Sequence, residues 1–269
     1  MTVIGIAALS KADRSLARLG EVGNAFPVPH VVVRPFIRKE AVLSSQIEGT
    51  RTSFQELLSF EAGQLSLFGD LEDRREVHNY VKALDHGLER LAALPMSIRL
   101  IREIHGILME GVRGELMTPG EVRRSQNWIG RPGAMLENAR YVPPPVDEMH
   151  DCLSALERYI HADSELPPLI RIGMIHYQFE AIHPFLDGNG RIGRLMVTFL
   201  LVAWGLLSQP LLYLSNFIEV LVFPRTYQKC SELVAEDALV YIDGKLNLRE
   251  ESPKIFAEDI IPMEQVTEF

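Results

Sequence analysis

His183-Pro184-Phe185-Leu186-Asp187-Gly188-Asn189-Gly190-Arg191-Ile192-Gly193-Arg194 lies between two apolar stretches, Ile170 to Ile182 before it and Leu195 to Leu207 after it. Both flanks have the texture of buried helices, so the order is helix, glycine-rich loop, helix. That order suits phosphate binding. Gly188 and Gly190 let backbone N–H groups converge on an anion, and the following helix turns its positive end toward the same point. Arg191 and Arg194 are three residues apart, which places both on one side of the helix's first turns, within reach of phosphate oxygens. Asp187 adds a hard carboxylate oxygen suited to a Mg²⁺ that bridges phosphates. His183 adds a base that titrates near neutral pH. Taken singly, each residue has a plainer explanation: a histidine at a helix end is often a cap, and Gly-Asn-Gly is often only a turn.

Working outward, Val77, Tyr80, Val81, Leu84, Leu88 and Leu91 recur at three- and four-residue steps within Glu72 to Leu94, an amphipathic helix that Pro95 stops. Similar spacing in Ile98, Ile101, Ile104, His105 and Leu108, and in Met149, Leu153, Leu156 and Ile160, predicts two more helices. Pro167 and Pro168 suit the first turn of the helix that runs to Ile182. That helix is apolar on most faces and is therefore expected to be central. The predicted fold class is mainly α. Between Arg123 and Pro145 the short segments Gln126-Asn127-Trp128-Ile129-Gly130 and Ala139-Arg140-Tyr141-Val142-Pro143 flank Arg131-Pro132-Gly133, which reads as a β-hairpin or flap. After Asn216 three β-rich stretches follow, with a short helix near Tyr227 to Val234, so a domain boundary is expected near Asn216.

The bulk numbers agree with a globular chain: 269 residues, 47% hydrophobic and 23% charged. A net charge of -9 argues against a broad nucleic-acid or anionic-membrane surface. Cys152 and Cys230 show no metal or redox spacing and fit a reducing cytoplasm as small buried hydrophobes. The N-terminus lacks a secretory pattern. The apolar run Leu195 to Leu207 is about a dozen residues against the roughly 20 of a membrane span, so no membrane partner is expected.

The ordered set His-x-Phe-x-Asp-Gly-Asn-Gly-Arg-x-x-Arg resembles the full signature of the Fic family, with every specified position filled. The resemblance implies a helical Fic core that takes ATP and Mg²⁺ and moves AMP onto a Ser, Thr or Tyr hydroxyl of a protein substrate. In it His183 would deprotonate that hydroxyl and Asp187 would hold the metal. Gly188, Asn189 and Gly190 would cradle the phosphates, Arg194 would bind the outer phosphate, Arg191 would help hold phosphates or loop, and Phe185 would pack beneath. Relatives with lysine at the second glycine transfer phosphate instead, so Gly190 favours AMP transfer.

Upstream, Ser44-Ser45-Gln46-Ile47-Glu48-Gly49-Thr50 would pass alone for a helix end with Gly49 as its cap. It also resembles the Ser-x-x-x-Glu-Gly inhibitory helix of Fic proteins. That resemblance implies that Glu48 pairs with Arg194, a fork-to-fork contact that would displace the γ-phosphate. The same glutamate could instead orient a water that removes AMP from a modified protein, and the sequence does not separate the two. Trp128, Ile129, Gly130, Tyr141 and Val142 resemble the family's flap, which holds a target segment by strand addition.

The resemblance implies residues 1–71 as an N-terminal region with the inhibitory helix and 72–216 as the catalytic core. Residues 217–269 resemble part of the OB-fold of the bacterial DNA polymerase III α subunit, lacking the opening strands, where Fic relatives of this type often continue into a winged helix. A gene fusion, a chimera and a degenerate tail all fit such a segment. A de-AMPylase and a catalytically dead interaction protein stay open beside the transferase, as does self-association.

Overall fold

Helix start signals are met by side chains that satisfy the first free N–H groups. Ser53 accepts from Glu56 N–H while Glu56 returns the bond to Ser53, a reciprocal cap at the head of α3 (Phe54–Glu61). Asp70 caps α4 (Leu71–Leu91) and Ser97 caps α5 (Ile98–Leu108). Ahead of these lie α1 (Val3–Ala25) and α2 (Pro29–Ile47), and after them α6 (Val146–His161), α7 (Pro168–Ile182) and α8 (Asn189–Ala203). α4 ends at Leu91, short of Pro95, with Leu94 N–H bonded to the Arg90 carbonyl at 2.8 Å. The computed structural model describes residues 3–25, 29–63, 70–112, 118–130, 135–212, 219–222, 226–227, 230, 240–247 and 254–262. They fall into two units, Met1–Ser215 and Asn216–Phe269.

The centre of the first unit is α8, which buries Ile192, Leu195, Met196, Val197, Phe199, Leu200 and Leu201. It packs against α7, α4, α5 and α2. Each such side chain contributes about 1.5–3 kcal/mol through burial. At the α4–α8 crossing the Phe199 ring fills the space above Gly87, where a Cβ would overlap it. α7, expected to be central, is covered only in part. It buries Ile172, Ile175, Phe179 and Ile182 but leaves Ile170, Met174 and Tyr177 exposed. Its neighbours are α6 and α8, and neither reaches the third face.

The expected hairpin is not a ladder of strands. Among the described residues its two arms meet at one antiparallel bridge, Ile129 to Tyr141, with Ile129 N–H on the Tyr141 carbonyl at 2.8 Å. Pro143, Pro144 and Pro145 bring no N–H to pair. Side chains then take the carbonyls a ladder would use: Gln126 donates to Pro143 at 2.9 Å, and Arg123 donates to Pro144. The Arg131-Pro132-Gly133 turn lies outside the described residues.

In the second unit β1 (Glu219–Val222), β2 (Val240–Asn247) and β3 (Lys254–Pro262) form a sheet in the order β1-β3-β2. β1 runs parallel and β2 antiparallel to β3, and the register shifts between Asp243 and Gly244. Most of the short helix expected near Tyr227 to Val234 lies outside the described residues, as does Phe223-Pro224-Arg225. No described helix is long and apolar enough to cross a membrane.

Candidate active site

α7 hands the chain to the loop at His183, whose backbone is left-handed (φ 49°, ψ 60°) and whose N–H bonds to the Phe179 carbonyl at 3.0 Å. A non-glycine residue rarely adopts that conformation. Here Arg123 holds it. Arg123 is fully buried, and its guanidinium donates to the carbonyls of His183 at 3.1 Å, Ser125 at 3.2 Å and Pro144. Its backbone N–H donates to Pro184 at 2.8 Å. Asn127 adds a bond to the Phe185 carbonyl at 2.9 Å. Burial lowers the pKa of His183, the nearby Glu180 carbonyl offsets part of the shift, and the Arg123 charge adds to it. The ring is therefore neutral at pH 7 and free to take a proton.

The loop rests on a second histidine. His105, buried in α5, stacks on Phe185 with centroids 3.8 Å apart and an interplanar angle of 5°. Its Nδ1 accepts from Gly120 N–H at 2.8 Å, so Nε2 carries the proton and donates to the Asp187 carbonyl at 3.1 Å. Burial pulls its pKa down to about 4. Asn189 closes the loop from above: its Oδ1 accepts from Phe185 N–H at 2.9 Å and its Nδ2 donates to the Phe185 carbonyl at 2.8 Å. The Asn189 side chain is thus spent on the loop, and only its backbone N–H faces an anion.

Gly188 is the left-handed cap (φ 79°) of α8, and no side chain caps the helix there. The first α8 N–H groups are therefore available to an anion. The arginines separate. Arg191 is buried and forms an ion pair with Glu76 of α4; its Nη2 is 3.6 Å from Asp187 Oδ1 and 3.6 Å from Met109 Sδ. It does not share the open side with Arg194, because three residues along a helix leave an angular offset that α4 exploits. Asp187 Oδ1 accepts from Gly188 N–H at 2.6 Å, and 46% of the side chain is exposed. Among the described residues no three His, Cys, Asp or Glu gather to hold a metal. Asp187 alone still fits Mg²⁺, which commonly takes one or two carboxylates and completes its octahedron with water and phosphate oxygens.

Arg194 meets α2. Its Nε donates to Ser44 Oγ at 2.7 Å, and its Nη2 donates to the Ser44 carbonyl at 2.9 Å and to Glu48 Oε1 at 2.7 Å. The expected fork-to-fork pair is thus a shared grip, one carboxylate oxygen plus Ser44. α2 ends at Ile47, and Gly49 (φ 101°) turns the chain so that Glu48 overlies Gly190, where a Cβ would overlap Oε1. Tyr80 of α4 backs this grip: it hydrogen-bonds Ser44 and donates to Glu40 at 3.4 Å.

Trp128, Ile129, Gly130, Tyr141 and Val142 are exposed, and Tyr141 donates to the Ala181 carbonyl at 2.8 Å, one turn before the loop. Sequence reasoning missed Arg123, Glu76 and Glu180, and took His105 and Tyr80 only for helical core positions. Arg123 stands beside Arg124 like any surface pair, and nothing in the spacing tells the buried one from the exposed one.

The Fic/DOC family N-terminal profile matches residues 6–89 and the Fic/DOC family profile residues 95–201. The protein adenylyltransferase Fic of Drosophila erecta is 27% identical over 166 residues, 59% of this chain and 31% of that protein. Its Drosophila persimilis counterpart is 28% identical over 166 residues, 59% of this chain and 30% of that protein. The chain therefore spans under a third of the length of these curated relatives. A Fic family protein from Desulfovibrio desulfuricans superimposes with TM-score 0.57 at 22% identity, covering 76% of this chain and 59% of that one. A Fic-domain signaling protein from Bacteroides thetaiotaomicron gives 0.60 at 21%, covering 72% and 73%. At these identities the likeness is one of fold.

Proposed function

Because the chain belongs to the Fic/DOC family, we propose that it transfers AMP from ATP to a Ser, Thr or Tyr hydroxyl of a target protein and that Glu48 restrains the reaction. The observation that carries this is that a neutral His183 and the uncapped α8 N-terminus share one loop, with Arg194 of that helix end held by Glu48 at 2.7 Å. The curated relatives bear the name protein adenylyltransferase.

In the reaction His183 takes the proton of the target hydroxyl as the oxygen attacks the α-phosphorus of ATP. The new oxygen–phosphorus bond forms as the bond to the bridging oxygen breaks, and pyrophosphate leaves. The α8 N–H groups at Asn189 and Gly190 meet the charge that grows on the phosphate oxygens. Arg194 holds the outer phosphates once Glu48 withdraws. Asp187 would hold Mg²⁺, which would supply further charge neutralisation. Arg191, paired with Glu76, keeps the loop in place without touching the nucleotide. The exposed edges at Trp128 to Gly130 and at Tyr141 and Val142 would receive an extended target segment by backbone pairing.

Intact-mass and peptide mass spectrometry of Glu48→Gly after incubation with ATP and Mg²⁺ tests the chemistry. An AMP adduct on a hydroxyl side chain is expected, absent in Glu48→Gly/His183→Ala. A phosphate adduct, or an AMP adduct that survives loss of His183, contradicts it.

A further inference from the structure

Gly193 fills an unspecified position of the loop signature, yet it is closely covered by two side chains of α7. A Cβ would overlap Oε1 of Glu180 and stand 3.0–3.1 Å from the His176 ring. Gly190, three residues earlier on the same face of α8, is covered in the same way by Oε1 of Glu48, with Nη1 of Arg194 3.1 Å from the Cβ position. Two carboxyl groups thus lie over one glycine-lined strip of α8, Glu48 brought by α2 and Glu180 by α7.

Both interact electrostatically with Arg194 and with each other. One guanidinium therefore serves two carboxyls, and the structure gives its direct bond to Glu48. The two differ in how firmly they are mounted. Glu48 lies just past the end of α2 on the Gly49 turn. Glu180 lies within α7 between Phe179 and Ile182, both fully buried, so it stays where it is when α2 shifts. A half-buried carboxyl in this setting is stabilised by a cation or a proton.

We propose that Glu180 is the positioning residue that holds Arg194 beside the α8 N-terminus once Glu48 has left, so that the guanidinium meets the outer phosphates of ATP. This rests on the AMP-transfer reading. The electrostatics support it: burial pushes Glu180 up to about 7, Arg194 pulls it down, and Glu48 pushes it up. Withdrawal of Glu48 therefore favours the carboxylate that Arg194 needs as its partner.

The test is calorimetric affinity for ATP and for AMP in the full chain carrying Glu48→Gly, alone and combined with Glu180→Met or Glu180→Gln. Methionine keeps length and apolar packing without an acceptor; glutamine keeps the acceptor. Loss of one charge-assisted contact corresponds to about tenfold. Glu180→Met should weaken ATP by about that factor and leave AMP within about twofold, while Glu180→Gln, which keeps the acceptor without the charge, recovers only part of the ATP affinity. ATP affinity that is unchanged or tighter in Glu180→Met, or a parallel loss for ATP and AMP, overturns the assignment. AMP transfer by the Glu48→Gly parent is measured separately. Its absence would sink the functional reading, whereas the binding comparison decides Glu180 on its own.

Discussion

His183 opens the loop and His105 of α5 supports it, and both are neutral, for different ends. His183 is lowered from the ordinary histidine range by burial, so it is already a base at pH 7. In Glu48→Gly the transfer rate should be flat across neutral pH and fall only on the acid side, below about pH 6.5. Replacing His183 by Ala should cost about 10²–10⁴-fold, read as initial rate. His105 props Phe185 and Asp187, and burial holds it near 4. Its unfolded form binds a proton near pH 6.5, before the folded form does. The stability it confers is therefore full above pH 6.5 and lost as pH falls toward 4, by about 3 kcal/mol. Denaturant midpoints over that window should show the slope, and His105→Gln should lack that share of it. Arg191 carries another prediction. Truncation to Ala removes the guanidinium paired with buried Glu76 and should lower stability by about 3–5 kcal/mol; a loss within 1 kcal/mol would contradict the buried pair. None of this burial is legible from the motif. Arg191 and Arg194 look alike in sequence, and α4, far away in the chain, decides which one is hidden.

At the scale of elements, α8 is seated against two neighbours through glycine contacts, one on α4 and one on α8 itself. Gly87 of α4 admits the Phe199 ring, and Gly193 admits Glu180 and His176 of α7. Gly87→Ala should therefore cost about 1–3 kcal/mol by overpacking, despite alanine's better helix propensity; thermal unfolding checks it, and a gain in stability would contradict it. The helices around the loop are legible because apolar period, caps and prolines agree: α5 begins after Ser97 and α7 at Pro168. Period counts apolar side chains but not what covers them, which is why α7 looks central and yet leaves Tyr177 in water. The hairpin reads as strands from its residue types, but its prolines offer no donors, and Arg123 and Gln126 take the carbonyls.

At the scale of the whole molecule, Glu48 and Arg194 lie 146 residues apart and join the N-terminal helices to the proposed nucleotide site. Anything that draws α2 away frees Arg194, and by mass action ATP favours the freed state. At a hundredfold excess over its Kd for Glu48→Gly, ATP with Mg²⁺ should therefore stabilise that variant by about 2.7 kcal/mol and the parent by less. Equal thermal shifts in the two would mean that Glu48 does not compete with the outer phosphates. That competition is the central claim, and initial rates of self-labelling by α-labelled ATP with Mg²⁺ test it most directly. Glu48→Gly should label at least about tenfold faster than the parent, as expected for freeing one charge-assisted contact. Equal rates in parent and variant, with both folded and binding ATP, would contradict it.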